Sequence, residues 1–192
     1  MRLYHGSIFA NITELLANST LHENANQKVV YLTDNIPYAL LYIWDSNRNF
    51  KQGKHVTAWI KENQVFYEEQ FQNQLRTFYD GVSGYLYVVN NTTSFSPVKN
   101  REAMWFSPNN TKIDIVKYIP NVYDELCKYI NSGELKVIHF EDVDSERIND
   151  LYNCIVDRII SKRLLENPDD SDAVFYQKFF LEAWELAKSK NV

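Results

Sequence analysis

Cysteine and glycine are scarce in this 192-residue chain, and no apolar run is long enough to span a membrane. Each shortage excludes something. The two cysteines, Cys127 and Cys154, lack CxxC spacing and fall on segments with amphipathic periodicity, which suits buried thiols better than a disulfide or a metal-binding pair. The five glycines form neither GxGxxG nor GxxxxGK, so any dinucleotide must bind by a mode other than a Rossmann turn or a phosphate loop. The longest apolar stretch, Tyr38 to Trp44, is well below the roughly 18 residues a bilayer requires, and the N-terminus has no charged-then-apolar leader. The expectation is a cytoplasmic protein with no membrane contact. His22, His55 and His139 are dispersed without HExxH or Cys/His spacing, and no metal is expected. Ser83, in DGVSGY, lacks the GxSxG frame of a nucleophile elbow. Nor is there an excess of positive charge. The 20 Lys and Arg against 25 Asp and Glu give a net charge of −5, and the cations are scattered, which argues against a dedicated nucleic-acid surface. Sequons at Asn11 and Asn91, without a leader, read as chance matches in an asparagine-rich chain.

What the chain does have is apolar material, at 45% of residues, enough to bury a core in one compact domain or one domain with a helical extension. Its thirteen tyrosines suit either packing or stacking on a flat ligand. Up to about residue 139, short β-like runs alternate with short helical ones, with no Gly/Ser linker and no fixed repeat, which predicts one mixed body over residues 1–140. β-branched and aromatic runs bounded by turn formers predict strands at Arg2–His5, Lys28–Thr33, Val56–Ile60, Val65–Glu68, Gly84–Val89, Ala103–Phe106, Lys112–Val116 and Leu135–His139. Lys61-Glu62-Asn63-Gln64, between two of these, suits a hairpin. Helices are predicted at Asn35–Trp44, with Pro37 in the first turn, and at Val122–Ser132, between Asn121 as N-cap and Gly133 as C-cap. Residues 141–192 are helical in pattern. Ile148, Tyr152, Ile155 and Ile159 share one face behind a cap at Asp144 or Ser145, and Tyr176, Phe180 and Trp184 share another after NPDDSD. An antiparallel helical pair is therefore expected to close the chain, packed on the α/β body or presented to a protein partner.

Two short stretches carry more than architecture. LYHGS, residues 3–7, places a histidine, a glycine and a serine behind two apolar residues, although a lone histidine in a strand is commonly structural. VVYLTDNIPYALLY, residues 29–42, ends a β run near Tyr31, turns, and continues as a helix with Tyr38 and Tyr42 one turn apart on one face. A slot between Tyr31 and Tyr42 suits a planar heteroaromatic ring, and the plainer alternative is that both tyrosines belong to the core. Together the two stretches resemble the NAD-binding half of the ADP-ribosyltransferase fold, in the diphtheria-toxin and poly-ADP-ribose-polymerase branch with its His-Tyr-Glu triad. In that branch a further tyrosine lies eleven positions after the first, and here that position is Tyr42. The resemblance covers about residues 3–116 and implies an α+β fold of split antiparallel sheets around an NAD cleft. It also implies that His5 binds ribose hydroxyls, that Gly6 holds the carboxamide through its backbone, and that Tyr31 and Tyr42 sandwich the nicotinamide ring. Ala39 stands where the family often has a serine that bonds the carboxamide, and Ser7, matching the small hydroxyl residue after the glycine, is expected to bind the ligand by replacing part of that contact.

The glutamate of that triad heads a late strand, and KNREAMWFSPNN makes Glu102 the candidate. By the resemblance it would hold the nicotinamide ribose 2′-hydroxyl and stabilise the oxocarbenium-like charge that forms as the glycosidic bond breaks, as carboxylates do in glycosidases. Glu68 and Glu69, in VFYEEQF, are its competitors. tRNA 2′-phosphotransferases share the fold but rely on added arginines, and only Arg101 and Arg2 lie near the motifs. Two functions follow. One is a mono-ADP-ribosyltransferase that consumes NAD as substrate and modifies a protein, a nucleic acid or a small molecule, with a toxin-like role. The other is a catalytically inactive NAD- or ADP-ribose-binding or protein-interaction module of the same fold.

Overall fold

The structure, a computed structural model, describes residues 1–21, 24–45 and 56–190. His22 and His55 lie outside the described residues. In chain order the strands are β1 (Leu3–Ser7), β2 (Glu14–Leu15), β3 (Ser19–Leu21), β4 (Asn24–Thr33), β5 (Thr57–Lys61), β6 (Gln64–Glu68), β7 (Gly84–Val89), β8 (Ser96–Pro97), β9 (Met104–Ser107), β10 (Thr111–Lys112), β11 (Ile115–Ile119) and β12 (Leu135–Ile138). The helices are α1 (Ile36–Leu40), α2 (Gln74–Tyr79), α3 (Val122–Ser132), α4 (Ser145–Ser161), α5 (Ser171–Phe179) and α6 (Leu181–Lys190).

The fold is mixed α+β, built on a curled antiparallel sheet in the order β11-β7-β1-β4-β9-β8, with β3 paired to β4. Its registers run from Leu3 opposite Val89 to Tyr31 opposite Phe106, both in antiparallel pairs. A second sheet has the order β12-β6-β5, and β10 pairs with β2. Leu3, Leu15, Val30, Leu32, Val89 and Phe95 form a buried cluster on the large sheet. The hairpin expected around Lys61–Gln64 closes through Glu62 and Asn63, both at positive φ (52° and 64°), which is the backbone of a two-residue type I′ turn.

Contacts divide the described residues into two compact units, residues 1–21, 24–45, 58–67 and 75–137 in one, and residues 56–57, 68–74 and 138–190 in the other. Within the first, α3 has the expected bounds. The Asn121 side chain accepts the Tyr123 N–H, and Gly133 ends the helix at φ 82°. Helix α1 is shorter than Asn35–Trp44. Asn35 accepts the Tyr38 N–H as expected of a cap, but the Tyr42 and Ile43 amides reach back only three residues, to Ala39 and Leu40, and this tightened turn ends the helix. The strand expected at Lys112–Val116 is divided between β10 and β11.

Within the second unit, the Asp144 side chain accepts the Glu146 N–H at the start of α4, and Ile155, Val156 and Ile159 are buried. The helix expected to run unbroken through Phe180 is instead interrupted there, at φ −135° and ψ 49°, so α4, α5 and α6 replace the expected pair. The expected face is buried across the break all the same: Tyr176, Phe180 and Trp184 are all buried, and Phe180, 1% exposed, meets Phe71 and Phe175 at 5.6 Å each. The thiols also differ from expectation: Cys127 is half-buried, but Cys154 is exposed, because it sits one residue and so about 100° around α4 from buried Ile155. Among the described residues no helix is long and apolar enough to cross a membrane.

Candidate ligand site

Strands β1 and β4 run side by side, with Tyr4 opposite Thr33, and α1 follows directly from β4. That arrangement brings LYHGS against VVYLTDNIPYALLY. A cavity of about 320 Å³ opens there, lined among others by His5, Gly6, Tyr31, Tyr42, Arg101 and Met104. Its size lies at the small end of ordinary ligand pockets, which span roughly 300–1,000 Å³.

Gly6 is what lets the helix come so close. A Cβ on Gly6 would collide with the carbonyl oxygen of Ala39 and press on the Ile43 side chain. A helix backbone therefore lies directly against a strand backbone, a packing open only to a residue without a side chain. Ala39 itself lines the cavity.

Burial lowers the pKa of His5 below the ordinary histidine value, while a hydrogen bond to the Tyr31 backbone opposes this. The imidazole is accordingly neutral at pH 7, and with its one N–H given to the Tyr31 backbone its other ring nitrogen is left as an acceptor. The Tyr31 hydroxyl donates to the Thr20 carbonyl at 3.3 Å, which ties the side chain to β3. Tyr38 and Tyr42 meet edge to face, with centroids 5.6 Å apart. Burial and the neighbouring Tyr38 hydroxyl raise the pKa of the Tyr42 phenol, and the Arg101 guanidinium pulls it back. Tyr42 is 49% exposed, so its ring is open to a ligand while its hydroxyl stays protonated at neutral pH.

The other expected residues go elsewhere. Ser7 is buried and does not line the cavity; its hydroxyl accepts the Phe9 N–H at 3.1 Å. Glu102 stands just ahead of β9, the strand paired to the one carrying Tyr31, as expected for a glutamate heading a late strand. Its carboxylate, however, is bound by the hairpin turn, accepting the Glu62 N–H at 2.9 Å and the Asn63 N–H at 2.5 Å. Glu102 is not among the residues that line the cavity. Glu68 and Glu69 do not line it either. Glu68 accepts from Arg147 at 2.7 Å, and Glu69, 3% exposed, lies 3.3 Å from His139 Nδ1. Among the described residues, no group of three or more His, Cys, Asp or Glu is arranged to hold a metal ion.

Arg101, noted in the sequence only for its nearness to a motif, proves to be a lining residue. It sits in a loop whose shape is set by two left-handed residues, Asn100 at φ 56° and Ala103 at φ 58°. The Ala103 carbonyl is fastened to the end of β4, accepting the Thr33 hydroxyl at 2.7 Å and the Asp34 N–H at 3.2 Å. The indole N–H of Trp105 donates to Asp34 at 2.9 Å and closes the same junction. No protein-family model matches the chain, and neither a curated protein nor a solved structure matches it.

Proposed function

We propose that the chain binds NAD in this cavity and transfers ADP-ribose from it to an acceptor. The observation that carries the reading is the convergence of His5, Gly6, Tyr31 and Tyr42, drawn from β1, β4 and the turn after α1, on one small cavity. A neutral imidazole whose N–H is held by the Tyr31 backbone suits a ribose hydroxyl, which can donate to its free ring nitrogen. Two phenol rings suit a nicotinamide ring, since aromatic pairs contribute roughly 0.5–1.5 kcal/mol beyond area burial. The volume suits the nicotinamide-ribose end better than the whole dinucleotide. In the reaction the bond between the nicotinamide nitrogen and the anomeric carbon breaks with its electron pair going to nicotinamide. The acceptor then gives a lone pair to the anomeric carbon and loses its proton, and water in that role gives hydrolysis.

Glu102 has a part in this chemistry only when its carboxylate leaves the hairpin amides and turns toward the ribose. Its present engagement there, together with Ala39 in place of a serine, favours a second reading, an NAD- or ADP-ribose-binding module without transferase activity. Nicotinamide release from NAD, followed beside calorimetric NAD binding, separates the two. For the transferase, Glu102→Ala lowers release by about 100-fold or more with binding retained, as expected for loss of transition-state charge stabilisation, and His5→Ala lowers it as well. Binding by wild type without release, in the presence of a cell extract that supplies acceptors, establishes the second reading. Neither binding nor release overturns both.

A further inference from the structure

We infer that Arg101 is a phosphate-binding residue of this cavity, and that the ligand is a phosphorylated nucleoside rather than a free base or an uncharged nucleoside. Its assignment to the NAD phosphate nearest the nicotinamide ribose rests on the reading above; the preference for phosphate does not.

The argument begins with charge. Arg101 is the one permanently charged side chain among the described residues lining the cavity, since no Asp or Glu lines it and His5 is held neutral by burial. Arg101 forms no ion pair among the described residues. The carboxylate next to it in sequence, Glu102, is committed to the Glu62 and Asn63 amides and so does not neutralise it. The chain as a whole carries −5, so an anion is drawn to this cavity by a local cation and not by the overall field.

Position adds to charge. The loop that presents Arg101 is anchored through the Ala103 carbonyl to Thr33 and Asp34, and Thr33 also lines the cavity. Tyr31 and Tyr42 line the cavity together with Arg101, whose charge acts on the Tyr42 phenol, so aromatic surface and a cation share one cavity as the base and phosphate of a nucleotide require. The planar donor fork of arginine fits two phosphate oxygens at once, which an ammonium group does not reproduce.

The test pairs each phosphorylated probe with its nucleoside in calorimetry, nicotinamide mononucleotide with nicotinamide riboside and adenosine 5′-monophosphate with adenosine, with NAD measured alongside. Wild type, Arg101→Gln and Arg101→Lys are compared at low and moderate salt, with thermal unfolding confirming that each variant is folded. Wild type prefers the phosphorylated member of each pair. Arg101→Gln weakens phosphorylated probes by about 10- to 100-fold, the usual worth of hydrogen bonds to a charged group, while nucleosides stay within about twofold. Arg101→Lys recovers part of the loss. The absence of a phosphate preference in wild type, or equal weakening of nucleotide and nucleoside by Arg101→Gln, overturns the inference. Failure of wild type to bind NAD, with an Arg101-dependent preference for adenosine monophosphate over adenosine, removes the NAD reading and leaves the phosphate site standing.

Discussion

The two walls of the cavity are made differently. One wall is regular: His5 and Gly6 on β1 and Tyr31 on β4 sit in ladders whose register is fixed over long stretches. The other is the loop from Val98 to Met104, which closes on itself through Val98 N–H to Met104 O at 2.8 Å and carries two left-handed non-glycine residues. The regular wall presents an imidazole, a phenol and, at Gly6, bare backbone. The loop turns its two charged neighbours apart, Arg101 to the cavity and Glu102 to the hairpin. Backbone strain of this kind is commonly stored at functional sites, and here it lies on the loop that carries Arg101 to the cavity.

The regular wall breaks most severely at Gly6. Gly6→Ala forces a Cβ onto the Ala39 carbonyl, which cannot swing away as a flexible side chain can, so the unfolding free energy falls by about 1–3 kcal/mol. Denaturant unfolding reads this directly, and an unchanged midpoint denies the close approach of α1 to β1.

A smaller effect follows from His5. Its native pKa is lowered, so below the ordinary value of about 6.5 the unfolded chain takes up the proton before the folded one does. Stability is unaffected by this group at higher pH and falls as the pH drops below about 6.5. His5→Gln removes that part of the pH dependence, which unfolding series at pH 8 and pH 5.5 detect. Identical slopes for both proteins contradict the burial of the imidazole.

The mildest change sharpens the other wall. Ala103→Gly relieves a left-handed alanine at the cost of unfolded-state freedom, for a net gain of at most about 1 kcal/mol. A loss of stability instead shows that the loop is not strained at that residue.

Much of the regular wall was legible in the sequence because it depends on local rules. β-branched and aromatic residues marked β1 and β4, and Asn35 and Pro37 marked the start of α1, whereas the pairing of Tyr31 with Tyr42 came from the family resemblance. The loop wall was legible only in part. Glu102 was expected ahead of a late strand, and β9 does follow it, but the direction of its side chain depends on the Glu62 and Asn63 amides, some forty residues away in sequence. Ser7 illustrates the same limit, since a short turn to Phe9 takes its hydroxyl. In the helical region, periodicity located α4, its cap and the buried face of Tyr176, Phe180 and Trp184, but not the break at Phe180 that divides α5 from α6.

The pairing order of the large sheet governs when the cavity comes into being. β1 is hydrogen-bonded to β7, with Leu3 opposite Val89, and β4 to β9, with Tyr31 opposite Phe106. Contacts this distant in sequence form slowly because a long loop must close before any of them is made. During synthesis, then, His5 and Tyr31 emerge early and wait, and the nascent protein has no complete ligand cavity until β9 has left the ribosome and settled against β4.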